Sequence, residues 1–190
     1  LAAMAERLPP GVLSVVHGGS DVGGALVGHD RVDKVAFTGG EDVGRRVLGA
    51  AAERLVPSLM EHGGNDPADV VDDAVHSDEA MERMVFGVFL TSGQVCMAAK
   101  RIYVPEPRRA EFTELFMAVA ERVLVCGDPL EEDVTIGPMV TASQRDRVIE
   151  LVENARHLGA TVTDVGSLGP GWYPGAGYFL RPTVVTGVDP

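Results

Sequence analysis

The first part of the chain alternates short β-branched apolar runs with stretches of helical spacing. That alternation restricts the fold more than any single motif does. VLSVV (12–16) reads as a strand, SDVGGALVGH (20–29) as a helix and DKVAFT (33–38) as a second strand. Val43, Val47, Leu48, Ala51 and Leu55 then recur at helical steps, which predicts a helix over about 41–55 with those residues on its apolar face. PSLME (57–61) reads as a third strand. Parallel neighbours need a crossover, usually helical, so a β-α-β-α-β order predicts a parallel sheet with helices packed on it.

After HGGNDP (62–67) the grain changes, and the domain boundary is expected there. A strand near 68–71, a long helix over about 78–91, a turn carrying Cys96 and a strand at 101–104 follow. Pro107 opens a helix expected to run to about 125. Thr141 and Gln144 form a capping box at the start of another helix. A strand near 161–165, the glycine- and proline-rich loop GSLGPGWYPGAGYF and a last strand, TVVTGV, complete an α/β chain with no internal repeat.

Composition excludes several functions. With 28 acidic against 16 basic residues the formal net charge is -12, so the protein's own field repels nucleic acid and anionic membrane alike. The apolar run Val85–Leu90 is broken by Gly87 and falls far short of the roughly 18 residues of a membrane span. Cys96 and Cys126 form no CxxC pair and no histidine cluster accompanies them, which argues against a zinc site or a disulfide framework and suits a reducing cytoplasm. The opening LAAMAERLPPG has no initiator Met, basic n-region or cleavage site, so the chain is expected to begin inside a longer protein.

Three local signals carry possible chemistry, and each also has a plain structural explanation. FTGGEDVG (37–44) places Gly-Gly between a strand and a helix start, where backbone amides could hold a phosphate; the same glycines could simply permit a tight turn, with Glu41 and Asp42 complementing the helix dipole. Glu61 stands at the carboxyl end of a strand, where open α/β sheets bind ligands, although acids at strand ends are commonly just solvated. Cys96, after Gly93 and Gln94, could be a nucleophile or a packed small hydrophobe.

The order and wording of LPPGV, HDRVDKVAFTGG, LMEHGGNDP, GQVC, GDP, IGPMV and GYFLRPTV resemble the aldehyde dehydrogenase family over nearly the whole chain. The resemblance implies the C-terminal part of a Rossmann-type cofactor domain over residues 1–61, followed by an incomplete α/β catalytic domain over 62–190 that bears the cysteine. It implies Cys96 as nucleophile and Glu61 as general base. It implies that NAD or NADP meets Thr38, Gly39, Gly40, Glu41, Asp42, Val43, Gly44, His62 and Gly63; His62 could sit near the nicotinamide, or be a solvated or backbone-satisfied histidine, the commoner case. A small aldehyde would be the substrate, and the full-length parent would form homo-oligomers. Relatives that pass the acyl group to coenzyme A typically lack the glutamate, so hydrolysis to a free acid is expected.

Three positions depart from the family pattern. Asn65 replaces the usual lysine, His62 the usual leucine, and Gly40 the usual serine of the phosphate turn. The upstream asparagine of the oxyanion hole, the adenosine-ribose contacts and the downstream Glu-Ile-Phe-Gly-Pro motif do not occur, so the chain reads as a central segment. Two other functions stay open at this point. One is a truncated remnant that only binds or associates; the other is a cofactor-independent thiol esterase using Cys96 and Glu61.

Overall fold

The computed structural model describes residues 1–71, 77–173, 175 and 177–188. The chain forms two compact units, Leu1–Gly63 and Gly64–Pro190, each described by itself below. The first holds α1 (Ala2–Ala5), α2 (Ser20–Gly28), β1 (Val35–Thr38), α3 (Glu41–Glu53) and β2 (Ser58–Glu61). β1 and β2 pair in parallel from Val35↔Ser58 to Thr38↔Glu61, with α3 as the crossover. Arg54, at the C-terminal cap of α3, donates to Val27 O at 3.0 Å and to Val32 O at 2.7 Å, which ties α3 to the end of α2.

Two expectations for this unit need correction. Residues 12–16 are not a strand: Leu13 and Val15 are half-buried between exposed neighbours, the alternation of an extended segment, but no partner strand pairs with them. A strand is defined by its ladder, and apolar alternation alone does not supply one. In α3 the covered face is narrower than the periodicity predicts. Gly44 and Ala51 are buried and Val47 half-buried, whereas Val43 and Leu48 stay about half exposed, because a layer two strands wide hides only a narrow stripe. Leu55 lies beyond the helix end, at φ 53° and exposed.

The second unit contains β3 (Asp66–Asp69), α4 (Asp78–Phe89), β4 (Ala99–Tyr103), a 3-10 turn (Glu106–Arg108), α5 (Arg109–Val123), β5 (Val125–Cys126), α6 (Ala142–His157), β6 (Thr161–Asp164), β7 (Ser167–Leu168) and β8 (Thr183–Thr186). β3 pairs with β4 and β5 with β7 in parallel, while β6 and β8 are antiparallel. Val70, Met81, Val85, Phe112, Phe116, Val119, Ala120, Leu124, Cys126, Ile136 and Val165 form one buried cluster, built chiefly on the facing sides of α4 and α5. Each large apolar side chain buried there contributes about 1.5–3 kcal/mol. Ser77 caps α4 by accepting from Ala80 N at 3.2 Å, and Thr141 caps α6 by accepting from Gln144 N at 3.3 Å. Arg122 on α5 reaches Asp78 and Glu82 on α4.

Here the sequence reading misses at element edges. The strand expected at 68–71 begins two residues earlier, since Asp66 and Pro67 look unlike a strand yet pair across a bulge with Ala99 and Arg101. α5 ends at Val123 and hands over to β5, a two-residue strand too short for any periodic signal, as is β7 inside the predicted loop. Pro174 and Ala176 of that loop lie outside the described residues.

Candidate active site

In the first unit the glycine turn sits where β1 passes into α3. Gly39 N donates to Glu61 O at 3.1 Å, the last rung after the Thr38↔Glu61 pair, so the turn and the end of β2 are held side by side. Neither Gly39 nor Gly40 has positive φ; Gly40 is extended, at φ -68° and ψ 154°. What favours glycine at 39 is contact, because a Cβ there would lie 2.6 Å from Phe37 Cζ and the ring would have to shift. A Cβ at Gly44, in the first turn of α3, would overlap the His62 ring at Cε1. Around Gly40 the space is open, and as N-cap it offers α3 no side-chain acceptor.

That geometry suits an anion. The first intrahelical bond runs from Gly44 N to Gly40 O, so the amides of Glu41, Asp42 and Val43 have no intrahelical acceptor, and the positive end of the helix dipole points the same way. Glu41 is turned toward Arg45 in an i,i+4 ion pair, which offsets the repulsion its carboxylate would exert on a phosphate. Thr38, Glu61 and Gly63 are exposed around this turn. An anion at this turn would be met by backbone amides rather than by side chains.

In the second unit Cys96 stands in the connection between α4 and β4, and its side chain is exposed. The packed-hydrophobe reading therefore fails for Cys96. The connection starts with three successive left-handed residues, Thr91 at φ 54°, Ser92 at φ 56° and Gly93 at φ 70°. For the two non-glycine residues this costs about 1–2 kcal/mol each, so something must hold them. Ser92 Oγ donates to Gly137 O at 3.0 Å. The Gln94 side chain donates to Thr91 O at 3.2 Å and to Pro138 O at 3.4 Å, while its Oε1 accepts from Val140 N at 2.9 Å. The GQVC and IGPMV stretches are thus two halves of one clamp.

The clamp continues into the core. Ile136, buried, bridges to Cys126, with Gly127 N donating to Ile136 O at 3.0 Å and Ile136 N to Val125 O at 2.9 Å. Residues 136–140 therefore form a strut fixed at one end beside β5 and gripping the Cys96 turn at the other. Cys126 itself is fully buried, and its thiol is pushed up to about 11, chiefly by burial, with Arg181 pulling it down and Glu121 raising it. Lys100, on β4 just past the cysteine turn, has its ammonium pulled below the ordinary value by partial burial, opposed by the charges of Asp66 and Cys96. Sequence reasoning missed Ser92, Gln94 and Lys100; only the recurrence of IGPMV after GQVC hinted at the clamp.

Near the other end of β3, Gly64 and Asn65 have φ 123° and 62°. Asparagine tolerates the left-handed region far better than lysine does, which accounts for Asn65 in physical terms. Arg101 Nε donates to Asn65 O at 3.0 Å and holds that turn to β4. Among the described residues no group of three or more His, Cys, Asp or Glu could hold a metal ion, and no helix is long and apolar enough to cross a membrane.

The chain belongs to the aldehyde dehydrogenase family, whose model matches residues 1–190. It is 41% identical over 181 residues to a betaine aldehyde dehydrogenase of Rhizobium etli, a match covering 95% of this chain and 37% of that protein. It is 40% identical over 182 residues to a chloroplastic aminoaldehyde dehydrogenase of Arabidopsis thaliana, covering 95% of this chain and 36% of that one. Among solved structures, 3,6-anhydro-L-galactose dehydrogenase in complex with NAP superposes with a TM-score of 0.85 at 34% identity, covering 98% of this chain and 39% of the other. A mutant of aldehyde dehydrogenase C from Pseudomonas syringae, complexed with NAD+ and octanal, gives 0.83 at 34% identity, covering 96% and 37%. The chain thus spans little more than a third of the length of these relatives.

Proposed function

We propose that this chain is the cysteine-bearing segment of an NAD(P)-dependent aldehyde dehydrogenase that oxidises a small aldehyde to its carboxylic acid. Residues 1–61 supply the second half of the dinucleotide-binding domain and 62–190 the catalytic domain. The observation that carries this reading is the Cys96 turn, which leaves the thiol exposed while hydrogen bonds to the 137–140 strut fix the backbone beneath it.

The chemistry balances as follows. Cys96 Sγ, as thiolate, bonds to the aldehyde carbon, and the carbonyl π pair moves onto oxygen as the thiohemiacetal forms. That carbon then gives up hydride and a thioester is left on Cys96. NAD(P)+, when bound, supplies the hydride acceptor, and the turn Thr38 to Gly44, with His62 and Gly63, would hold it by backbone amides at the start of α3. Glu61 takes a proton from water, the resulting hydroxide attacks the thioester, the carbon–sulfur bond breaks, and the acid leaves with the thiolate regenerated.

The relatives named above act on aminoaldehydes and betaine aldehyde, which places small aldehydes first among substrates to try. Glu61→Gln in the polypeptide that carries this chain tests the division of labour. Rapid mixing with aldehyde and NAD+ should give a burst of reduced cofactor near one per site, then a steady state slowed about a hundredfold to ten-thousandfold. A lost burst with normal thioester hydrolysis would remove Glu61 from the deacylation step.

A further inference from the structure

We infer that His62 is a positioning residue that latches the Gly39–Gly40 turn from the neighbouring strand, restraining a helix start whose N-cap residue, Gly40, offers no side chain. The inference rests on the reading of this turn as the dinucleotide site. Three contacts carry it, all within the first unit. His62 Nδ1 lies 3.4 Å from Gly39 O. A carbonyl only accepts, so the ring must carry its hydrogen on Nδ1. On the helix side the ring fills the place where any side chain at Gly44 would stand, and Gly44 is buried there. On the strand side the Phe37 ring lies 6.1 Å away, tilted by 54°, and Phe37 in turn occupies the place of a Cβ at Gly39.

His62 therefore touches β1, the turn and the first turn of α3 at once. Helix starts are usually restrained instead by Ser, Thr, Asp or Asn at the N-cap, which accepts from the first helical amides. Gly40 provides no such acceptor, and its surroundings are open; the Gly39 N to Glu61 O rung, the Gly44 N to Gly40 O bond and His62 hold the turn. Since β2 delivers His62 directly after Glu61, the latch also sets the Glu61 backbone against the turn. A leucine at 62 could fill the ring's space but has no donor, whereas an asparagine amide reproduces the Nδ1–H position.

The test uses the polypeptide that carries this chain. Ring-nitrogen NMR of His62 without ligand should show the Nδ1–H tautomer near neutral pH; an Nε2–H tautomer with bare Nδ1 overturns the latch. Calorimetric titration with NAD+ should give dissociation constants about fivefold higher for His62→Leu, the scale of one net hydrogen bond, and within about twofold of the parent for His62→Asn. Adding Gly40→Ser to His62→Leu should not recover the loss, because a capping hydroxyl accepts from the α3 amides and does not replace a donor to Gly39 O. Melting curves for each variant separate loss of the latch from loss of fold. Leucine binding as well as histidine, or asparagine binding as poorly as leucine, refutes the inference. If the parent chain binds no NAD+ at all, it is the dinucleotide reading of the turn that falls, and the latch's role in binding falls with it.

Discussion

The surroundings of Cys126 and those of Cys96 are joined by the strut 136–140 and differ in almost every other respect. Around Cys126 the chain is closed: β5 pairs with β7, Ile136 bridges alongside, and the thiol is fully buried with its proton held tightly. Around Cys96 the chain is open, and the backbone runs through three left-handed residues before it reaches an uncovered sulfur. Such a turn would relax without external support. Support arrives as hydrogen bonds from Ser92 and Gln94 to a strut whose far end is packed in the core. The contrast teaches that accessibility and rigidity have separate sources here. The buried thiol's region supplies the rigidity, and local backbone strain at the turn accompanies the exposed thiol.

The sharpest way to break the comparison is to remove each sulfur in turn. Cys96→Ala should lower aldehyde oxidation in the parent polypeptide by about four orders of magnitude or more, since no thioester can form, while leaving the melting temperature nearly unchanged. Cys126→Ala should do the reverse, keeping turnover within a few-fold and lowering stability by about 1–2 kcal/mol through a small cavity in the core. Steady-state rates and denaturant titrations on both variants decide; equal activity losses would show that the two thiols are not separated in role.

A smaller effect is expected from cutting the link between the regions. Gln94→Ala removes two donated bonds and orphans Val140 N, so the turn loses its fixed position although the thiol stays exposed. Misplacement on the scale of an ångström costs about a hundredfold, so kcat/KM should fall by about that factor with cofactor affinity unaltered. An unchanged kcat/KM would mean that the strut does not position Cys96.

The least effect is confined to alkaline solution. Burial raises the Cys126 thiol to about 11 from an ordinary value of 9.0, so above pH 9 the unfolded chain gives up this proton first. The corresponding stability is complete below about pH 9 and is lost as pH rises through about 11. Melting temperatures across that window should therefore fall more steeply for the parent than for Cys126→Ala. Parallel curves would place the thiol's ionisation elsewhere.

Local patterns made much of this visible before any coordinates. Period and cap residues located α2, α3, α4 and α6, and the Thr141 cap was read directly from Thr141 and Gln144. What escaped was non-local. VLSVV carries the alternation of a strand without a partner, and no property of those residues reveals that. The DPAD of β3 is polar and is a strand only because β4 lies beside it. At the site, Cys96, Glu61 and the glycine turn stood out through their motifs, whereas the clamp of Gln94 spans 44 and 46 positions along the chain and has no local signature. The preference for glycine at 39 and 44 was likewise hidden, because it comes from the rings of Phe37 and His62 rather than from backbone angles.

The most direct test of the account is to catch the acyl group on its sulfur. In Glu61→Gln, with deacylation slowed, the parent polypeptide mixed with aldehyde and NAD+ is quenched in acid during the burst, digested, and mapped by mass spectrometry. The account predicts an acyl mass on the peptide bearing Cys96 in proportion to the reduced cofactor formed, and none on the peptide bearing Cys126. A burst of reduced cofactor with no adduct on Cys96, or with the adduct on Cys126, would contradict it.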